Sequence, residues 1–103
     1  MHGKAIHFGM IESFTSRDLK RYWTKGDESK VRADWRAKVR LILSRLDVAR
    51  EPAEMDIPGL SFHALKGDQD GRFAVWISRN WRITFGWRGE NAVDVDMEDY
   101  HGN

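Results

Sequence analysis

Cysteine is absent from this chain of 103 residues, and proline occurs only twice. Without thiols, disulfide bonds and thiolate metal sites are excluded, which is typical of proteins of the reducing cytoplasm. No apolar run approaches the roughly 20 residues that a membrane-spanning helix requires. No signal-like segment opens the chain either. The sequence therefore predicts a cytoplasmic protein that has no membrane association.

The composition is that of a folded globular domain. Apolar residues make up 41% of the chain and charged residues 32%, which argues against disorder. A chain of this length has enough residues for one hydrophobic core. Because residues 1–9 show no clear period, we predict a flexible extension there, followed by a single domain over residues 10–103. The alternative is that the true start codon is the one for Met10.

The net charge of +1 conceals a segregation of charge along the chain. Residues 17–50 contain eleven Lys or Arg against five Asp or Glu, whereas residues 90–103 contain five acids and no base. A basic half favours a polyanionic partner, because binding releases counterions. A solvated helix face explains any single one of these basic residues equally well.

The hydrophobic pattern predicts two helices before a region of strands. Residues 10–14 alternate as a short strand, and residues 17–23 suit a short helix for which Thr15 and Ser16 are both candidate N-caps. The strongest helical period covers residues 31–49 and must end before Pro52.

After residue 59 the period changes from 3.6 to 2. Four strands are predicted, over residues 60–65, 73–77, 81–87 and 93–98. Two helices followed by these strands predict an α+β domain, with both helices packed on one face of a mostly antiparallel sheet. Side chains alternate along a strand, so if Trp81 and Phe85 face the helices, Arg82 points to the other face. His63 is predicted to lie on that same face.

Side chains that transfer protons or hold phosphate occur in three stretches of the strand region: His63, Lys66, Arg82, Asp99, Tyr100 and His101. Cleavage of an RNA phosphodiester without a metal needs a base for the 2′-OH and an acid for the departing 5′-oxygen. It also needs cations that hold the charge of the phosphate. The set therefore favours a nuclease.

The order of these residues resembles that of a known family. The matching segments are Leu60-x-x-His63-x-Leu65-Lys66-Gly67-Asp68, Gly71-Arg72-Phe73, Asn80-Trp81-Arg82-Ile83-Thr84-Phe85 and Val95-Asp96-x-Glu98-Asp99-Tyr100-His101. They are similar to the HigB-type toxins of bacterial type II toxin–antitoxin systems, also called plasmid maintenance killer proteins, in the RelE-like superfamily. The resemblance runs from Met10 to His101.

The resemblance implies a RelE-like, microbial-RNase-like fold and an endonuclease that cleaves mRNA on the ribosome. It also implies a helix-turn-helix antitoxin, HigA-like, that neutralises the toxin and represses the shared operon. The toxin would then meet operator DNA only through the antitoxin. The functional residues of the family map onto the six named above, His63, Lys66, Arg82, Asp99, Tyr100 and His101.

In this interpretation His63 and His101 form the proton-transfer pair, and which is acid and which is base stays open. Asp99 is either an alternative base or the group that orients an imidazole. Lys66 and Arg82 hold the non-bridging oxygens of the phosphate. Tyr100 stacks on an unpaired base or donates a proton.

Four basic residues of the predicted long helix are candidates for contact with RNA or the ribosome: Arg32, Arg36, Lys38 and Arg40. The tryptophans are expected mostly in the core. For Trp23 and Trp76 the core is favoured over the alternative, a surface for RNA or a partner. No metal or other cofactor is expected, because His63, Asp99 and His101 lack the tight spacing of a metal site.

Two alternatives to a nuclease remain open. One is a non-catalytic module that binds RNA, the ribosome or an antitoxin, and the other is a RelE-fold toxin with another target.

Overall fold

The structure of the protein is a computed structural model, which describes residues 10–99. The extension predicted over residues 1–9 lies outside the described residues, as do Tyr100 and His101. The helices and strands of the described part are α1 (Arg17–Lys25), α2 (Arg36–Val48), β1 (His63–Ala64), β2 (Phe73–Trp76), β3 (Trp81–Arg88) and β4 (Asn91–Asp99). The predicted α+β class is confirmed.

Helix α1 begins and ends at residues that its sequence specifies. The side chain of Ser16 accepts a hydrogen bond from the Leu19 backbone N–H at 3.1 Å, as an N-cap does. Gly26 closes the helix with φ 72, a left-handed conformation that glycine adopts without strain. The helix extends two residues beyond the predicted range of 17–23.

The helix predicted over residues 31–49 is interrupted near its start. Ala33–Trp35 forms a 3-10 turn, and regular α-helix begins only at Arg36. Val31 is buried and Trp35 packs against the core, so apolar spacing alone did not reveal the change of geometry. The buried stripe of α2 is as predicted and consists of Val39, Ile42, Leu43 and Leu46.

The four strands form one antiparallel sheet in the order β1-β2-β3-β4. The strand predicted over residues 60–65 contains only two residues. Ser61 has φ 51, a left-handed conformation that breaks the extended backbone just before β1.

The predicted N-terminal strand is reduced to two contacts with the outer edge of β4. Ile11 and Phe14 make isolated parallel bridges to Ala92 and Val95, and no continuous strand forms over residues 10–14. The segment nevertheless pairs with an edge that would otherwise be open.

Helices cover one face of the sheet. Side chains of β2, β3 and β4 pack with α1 and α2 in one core, which includes Val75, Ile83, Phe85 and Val95. Within residues 10–99 no helix covers the opposite face, called the open face below. Neither α1 nor α2 has the length and apolar character needed to cross a membrane.

Candidate active site

Strand register places His63 and Arg82 on the open face. His63 pairs with Ala74, Ala74 pairs with Thr84, and Trp76 pairs with Arg82. Directly paired residues point to the same side, and residues two apart along a strand do so as well. His63 in β1 and Thr84 in β3 are therefore level with each other and two strand spacings apart, roughly 10 Å. Arg82 lies two residues along β3 from Thr84.

A backbone carbonyl fixes the tautomer of His63. The Nδ1 atom lies 2.8 Å from the carbonyl oxygen of Ser61. Because a carbonyl only accepts hydrogen bonds, Nδ1 carries the hydrogen, and in a neutral ring the lone pair is then on Nε2. The left-handed conformation of Ser61, with φ 51, positions this carbonyl, and such conformations are typical of functional sites. His63 thus has one nitrogen suited to accept a proton.

Arg82 is the most enclosed guanidinium among the salt-bridged arginines of the described chain, with a side chain 11% exposed. Its Nη2 lies 3.8 Å from Oε1 of Glu98, the residue of β4 that pairs directly with Arg82. This separation makes an ion pair but exceeds hydrogen-bond distance. A planar guanidinium in such a position suits the non-bridging oxygens of a phosphate.

Glu98 connects three segments of the open face, a role that sequence reasoning missed. Its Oε2 accepts a hydrogen bond from the hydroxyl of Thr84 at 2.7 Å, and its Oε1 accepts one from the Gln69 amide at 3.2 Å. Thr84 lies in β3 and is fully buried, whereas Gln69 lies in the 3-10 turn Gly67–Gln69 after β1. The carboxylate therefore links β4 to β3 and to the loop that carries Lys66.

The environment of Glu98 favours its charged form. Burial by itself raises the pKa of Glu98. Hydrogen bonds from Thr84 and Gln69, together with the charges of Arg82 and Arg72, outweigh burial and hold that pKa below its usual range. Glu98 is thus a poor proton acceptor and acts here as a fixed negative charge beside Arg82.

Lys66 and Asp99 occupy different places relative to this face. Lys66 is exposed directly before the turn Gly67–Gln69, whose Gln69 also donates a backbone hydrogen bond to the Lys66 carbonyl at 3.4 Å. Asp99 is exposed and pairs with Trp81, so alternation places it on the helix side at the end of the sheet. Tyr100 and His101 lie outside the described residues, and their roles stay predictions.

Trp76 lies on the open face and not in the core that was favoured for it, so the alternative of a surface position applies. It pairs with Arg82 and is half-buried, and it does not belong to the apolar cluster between the sheet and the helices. The alternation of side chains along β2 would have predicted this position. Phe73 and Val75 face the helices, so Trp76 faces the other side. Trp23 packs against the core, as predicted.

Two of the four basic candidates are neutralised by carboxylates. Arg32 makes two hydrogen bonds with Asp34, at 2.8 and 3.0 Å, and also lies over the ring of Trp35. Arg36 forms an ion pair with Glu28 at 2.9 Å.

The other two basic candidates have weaker partners. Lys38 donates to the carbonyl of Gly59 at 3.4 Å, and the Arg40 guanidinium lies 5.7 Å from the centroid of the Tyr22 ring. Both side chains retain their charge for a polyanion. Within residues 10–99 no three acidic or histidine side chains are placed to hold a metal ion.

Glu98 supports a prediction on acid stability. Its pKa is lower in the folded chain, so its stabilisation is complete above the usual pKa of a glutamate and is lost as the pH falls through the folded-state pKa. We expect Glu98→Ala to lower the free energy of unfolding at neutral pH by about 1–3 kcal/mol, because the Thr84 hydroxyl loses its acceptor.

Urea unfolding at neutral and acidic pH measures this effect. Glu98→Gln is the matched control, since an amide oxygen still accepts from Thr84 but cannot ionise. It should be less destabilising at neutral pH than Glu98→Ala and should lose less stability on acidification than the wild type. If the wild type and Glu98→Gln lose equal stability in acid, Glu98 does not contribute to the acid sensitivity.

An α+β fold whose open face holds an imidazole and a guanidinium is the arrangement expected of a RelE-like toxin, and comparison with known proteins shows that class. Residues 12–101 match the family described as RelE-like toxin of type II toxin-antitoxin system HigB. A curated relative, Endoribonuclease HigB of Proteus vulgaris, is 36% identical over 92 residues, which cover 89% of this chain and 100% of that protein. The chain therefore belongs to the HigB-like toxin family. Membership of a type II system implies an antitoxin partner.

Proposed function

We propose that this protein is an endoribonuclease that cleaves mRNA on the ribosome and so arrests translation and growth when its antitoxin is lacking. The observation that supports it most directly is the placement of His63 and Arg82 on one face that no described helix covers. The related protein of Proteus vulgaris is named an endoribonuclease, and it matches this chain over its whole length.

The proposed reaction is a transesterification that needs no metal ion. The 2′-oxygen attacks the adjacent phosphorus and the bond to the 5′-oxygen breaks, so the products are a 2′,3′-cyclic phosphate and a 5′-hydroxyl. The 2′-OH proton passes to a base, and a proton from an acid reaches the 5′-oxygen. His63 supplies one of these groups through Nε2, and His101 supplies the other.

The remaining site residues hold the substrate. Arg82 and Lys66 bind the non-bridging oxygens, where negative charge must be stabilised as the bonds change. Glu98 keeps Arg82 in place through their ion pair at 3.8 Å. Trp76, on the same face, offers a ring on which an unpaired base can stack. Asp99, the last residue of β4, orients an imidazole or serves as an alternative base, and Tyr100 stacks on an unpaired base or donates a proton.

The antitoxin partner is proposed to be a HigA-like helix-turn-helix protein that also represses the shared operon. The toxin then contacts operator DNA only through that protein. Because the mRNA substrate is bound to ribosomes, the proposed site of action is the cytoplasm.

Primer extension on cellular mRNA after induction tests this function. We expect new 5′ ends within coding regions, and these ends should disappear when translation initiation is blocked. Cleavage of ribosome-bound mRNA by the purified toxin should persist in EDTA at a concentration that spares the ribosome. Growth arrest without new 5′ ends would indicate another target, and equal cleavage of free RNA would contradict ribosome dependence.

A further inference from the structure

A second arginine, Arg72, lies on the open face and has no part in the proposed reaction. It comes directly before β2, in alternation with Ala74 and Trp76. Its Nη2 donates hydrogen bonds of 2.9 Å to the hydroxyl of Thr84 and to the backbone carbonyl of Asp94. Both acceptors are neutral, so these bonds orient the guanidinium without balancing its charge.

Arg72 differs in this respect from the five arginines of the described chain that form ion pairs with carboxylates. Between residues 10 and 99, ion pairs with carboxylates engage Arg21, Arg32, Arg36, Arg82 and Arg88, whereas Arg72 makes none. The side chain of Arg72 is half-buried, so part of its hydration is lost on folding. The nearest counter-charge is Glu98, on which the charge of Arg72 acts, but that carboxylate also forms the ion pair with Arg82. Two guanidiniums thus share one carboxylate, and an anionic ligand offsets the remaining cost of desolvating Arg72.

The local backbone holds the Arg72 guanidinium close to β3. A side-chain carbon at Gly86 would lie 3.6 Å from Nη1 of Arg72 and 3.3 Å from Cγ2 of Val93. The guanidinium therefore lies within ordinary contact distance of the Gly86 position on β3. Apart from Nη2, its nitrogens make no hydrogen bond to residues 10–99. The result is an oriented cation with donors left for a ligand.

Thr84 and Glu98 connect Arg72 to Arg82. Arg72 donates to the Thr84 hydroxyl, Thr84 donates to Glu98 at 2.7 Å, and Glu98 forms the ion pair with Arg82. Two guanidiniums thus lie along one strip of the open face, with a carboxylate between them whose oxygens already accept two hydrogen bonds.

We propose that Arg72 forms a second phosphate-binding subsite, which holds an RNA phosphate next to the one at Arg82. This inference rests on the proposed function, because it takes the bound polyanion to be single-stranded RNA. The subsite contributes affinity and register and takes no part in proton transfer. Phosphate contacts of this kind fix the position of a strand without reading its sequence.

Binding of a fluorescent, uncleavable 2′-O-methyl RNA, followed by anisotropy over a range of salt, tests the subsite. We expect Arg72→Gln to weaken binding about tenfold, as for a lost hydrogen bond to a charged group. The slope of log Kd against log salt should fall by about 0.7, as for one phosphate contact of a single strand. Arg72→Lys keeps the charge and should keep the slope.

Arg88→Gln is the matched control, because Arg88 is exposed and paired with Glu12 at 3.1 Å. It should leave both slope and affinity unchanged. The subsite is ruled out if Arg72→Gln, folded by circular dichroism, binds like Arg88→Gln. It is also ruled out if Arg72→Lys loses the slope as Arg72→Gln does, since Arg72 would then act only on the structure.

A measurement on the wild type avoids any folding defect of the variants. Single methylphosphonates, which lack the phosphate charge, are placed at successive positions of the same RNA. The subsite predicts weaker binding at two adjacent positions, and a loss at one position only would contradict it. Two sensitive positions in this uncleavable RNA, together with no cleavage of ribosome-bound mRNA that keeps its 2′-OH groups, would support the subsite and contradict the proposed reaction.

Discussion

Arg82→Ala is expected to lower the rate of mRNA cleavage by about 100- to 1,000-fold, as when one donor to a developing charge is removed. The side chain of Arg82 is 11% exposed and lies on the open face beside Glu98. In this enclosed position its charge acts on the phosphate through less water than an exposed arginine would. Single-turnover cleavage of ribosome-bound mRNA measures the effect, and loss of growth arrest on expression supports it.

Two variants separate catalysis from folding in this experiment. Arg82→Lys keeps the charge but loses the planar fork, so we expect an intermediate rate. Arg79→Ala removes an exposed arginine in the connection between β2 and β3, and its rate should equal that of the wild type. If Arg82→Ala keeps its thermal unfolding temperature and cleaves within a few-fold of the wild type, Arg82 does not hold the reacting phosphate.

The sequence was sufficient to predict the shared face of His63 and Arg82. Period-two alternation in β3 separates Arg82 from the core residues Ile83 and Phe85, and the sheet confirms this separation. Alternation is a local property, so it can be predicted without knowledge of strand pairing. The helix stripe was predictable for the same reason, whereas the sequence offered both Thr15 and Ser16 as N-caps and the structure selects Ser16.

The network around Glu98 was not predictable, because it depends on contacts distant in sequence. Gln69 and Glu98 are 29 residues apart, and Arg72 reaches across β3 to a carbonyl 22 residues away. No spacing rule links such residues before the register is known. The short β1 was missed for a different reason, since the left-handed Ser61 is a non-glycine residue with no sequence signal for that conformation.

The candidate site contains two kinds of residue, those whose chemical type indicates a function and those that hold them in position. His63 and Arg82 stand out by chemical type, whereas Glu98 and Thr84 act through the groups that they hold. Thr84 is fully buried although it lies on the open face and outside the apolar core cluster. A buried hydroxyl with both a donor and an acceptor in hydrogen-bond distance restricts their relative positions. The geometry of the open face therefore depends on residues whose types alone do not indicate function.

His63→Ala is expected to reduce cleavage by about 100- to 10,000-fold, the contribution of one positioned acid or base. The hydrogen bond of 2.8 Å to the Ser61 carbonyl keeps the hydrogen on Nδ1, so Nε2 alone is left to exchange a proton with the RNA. Single-turnover cleavage of ribosome-bound mRNA gives the rate, and RNA affinity is measured in parallel.

Added imidazole distinguishes proton transfer from a structural role of His63. A free imidazole can enter the space left by His63→Ala and carry the proton, so it should restore part of the cleavage rate. Imidazole should not restore the cleavage rate of Arg82→Ala, because that variant has lost a positive charge and still has its proton carrier. RNA affinity should change little in His63→Ala, because the cations on the open face remain. A variant that cleaves like the wild type, or that loses RNA binding and cleavage in equal measure and does not respond to imidazole, would remove His63 from the proton-transfer pair.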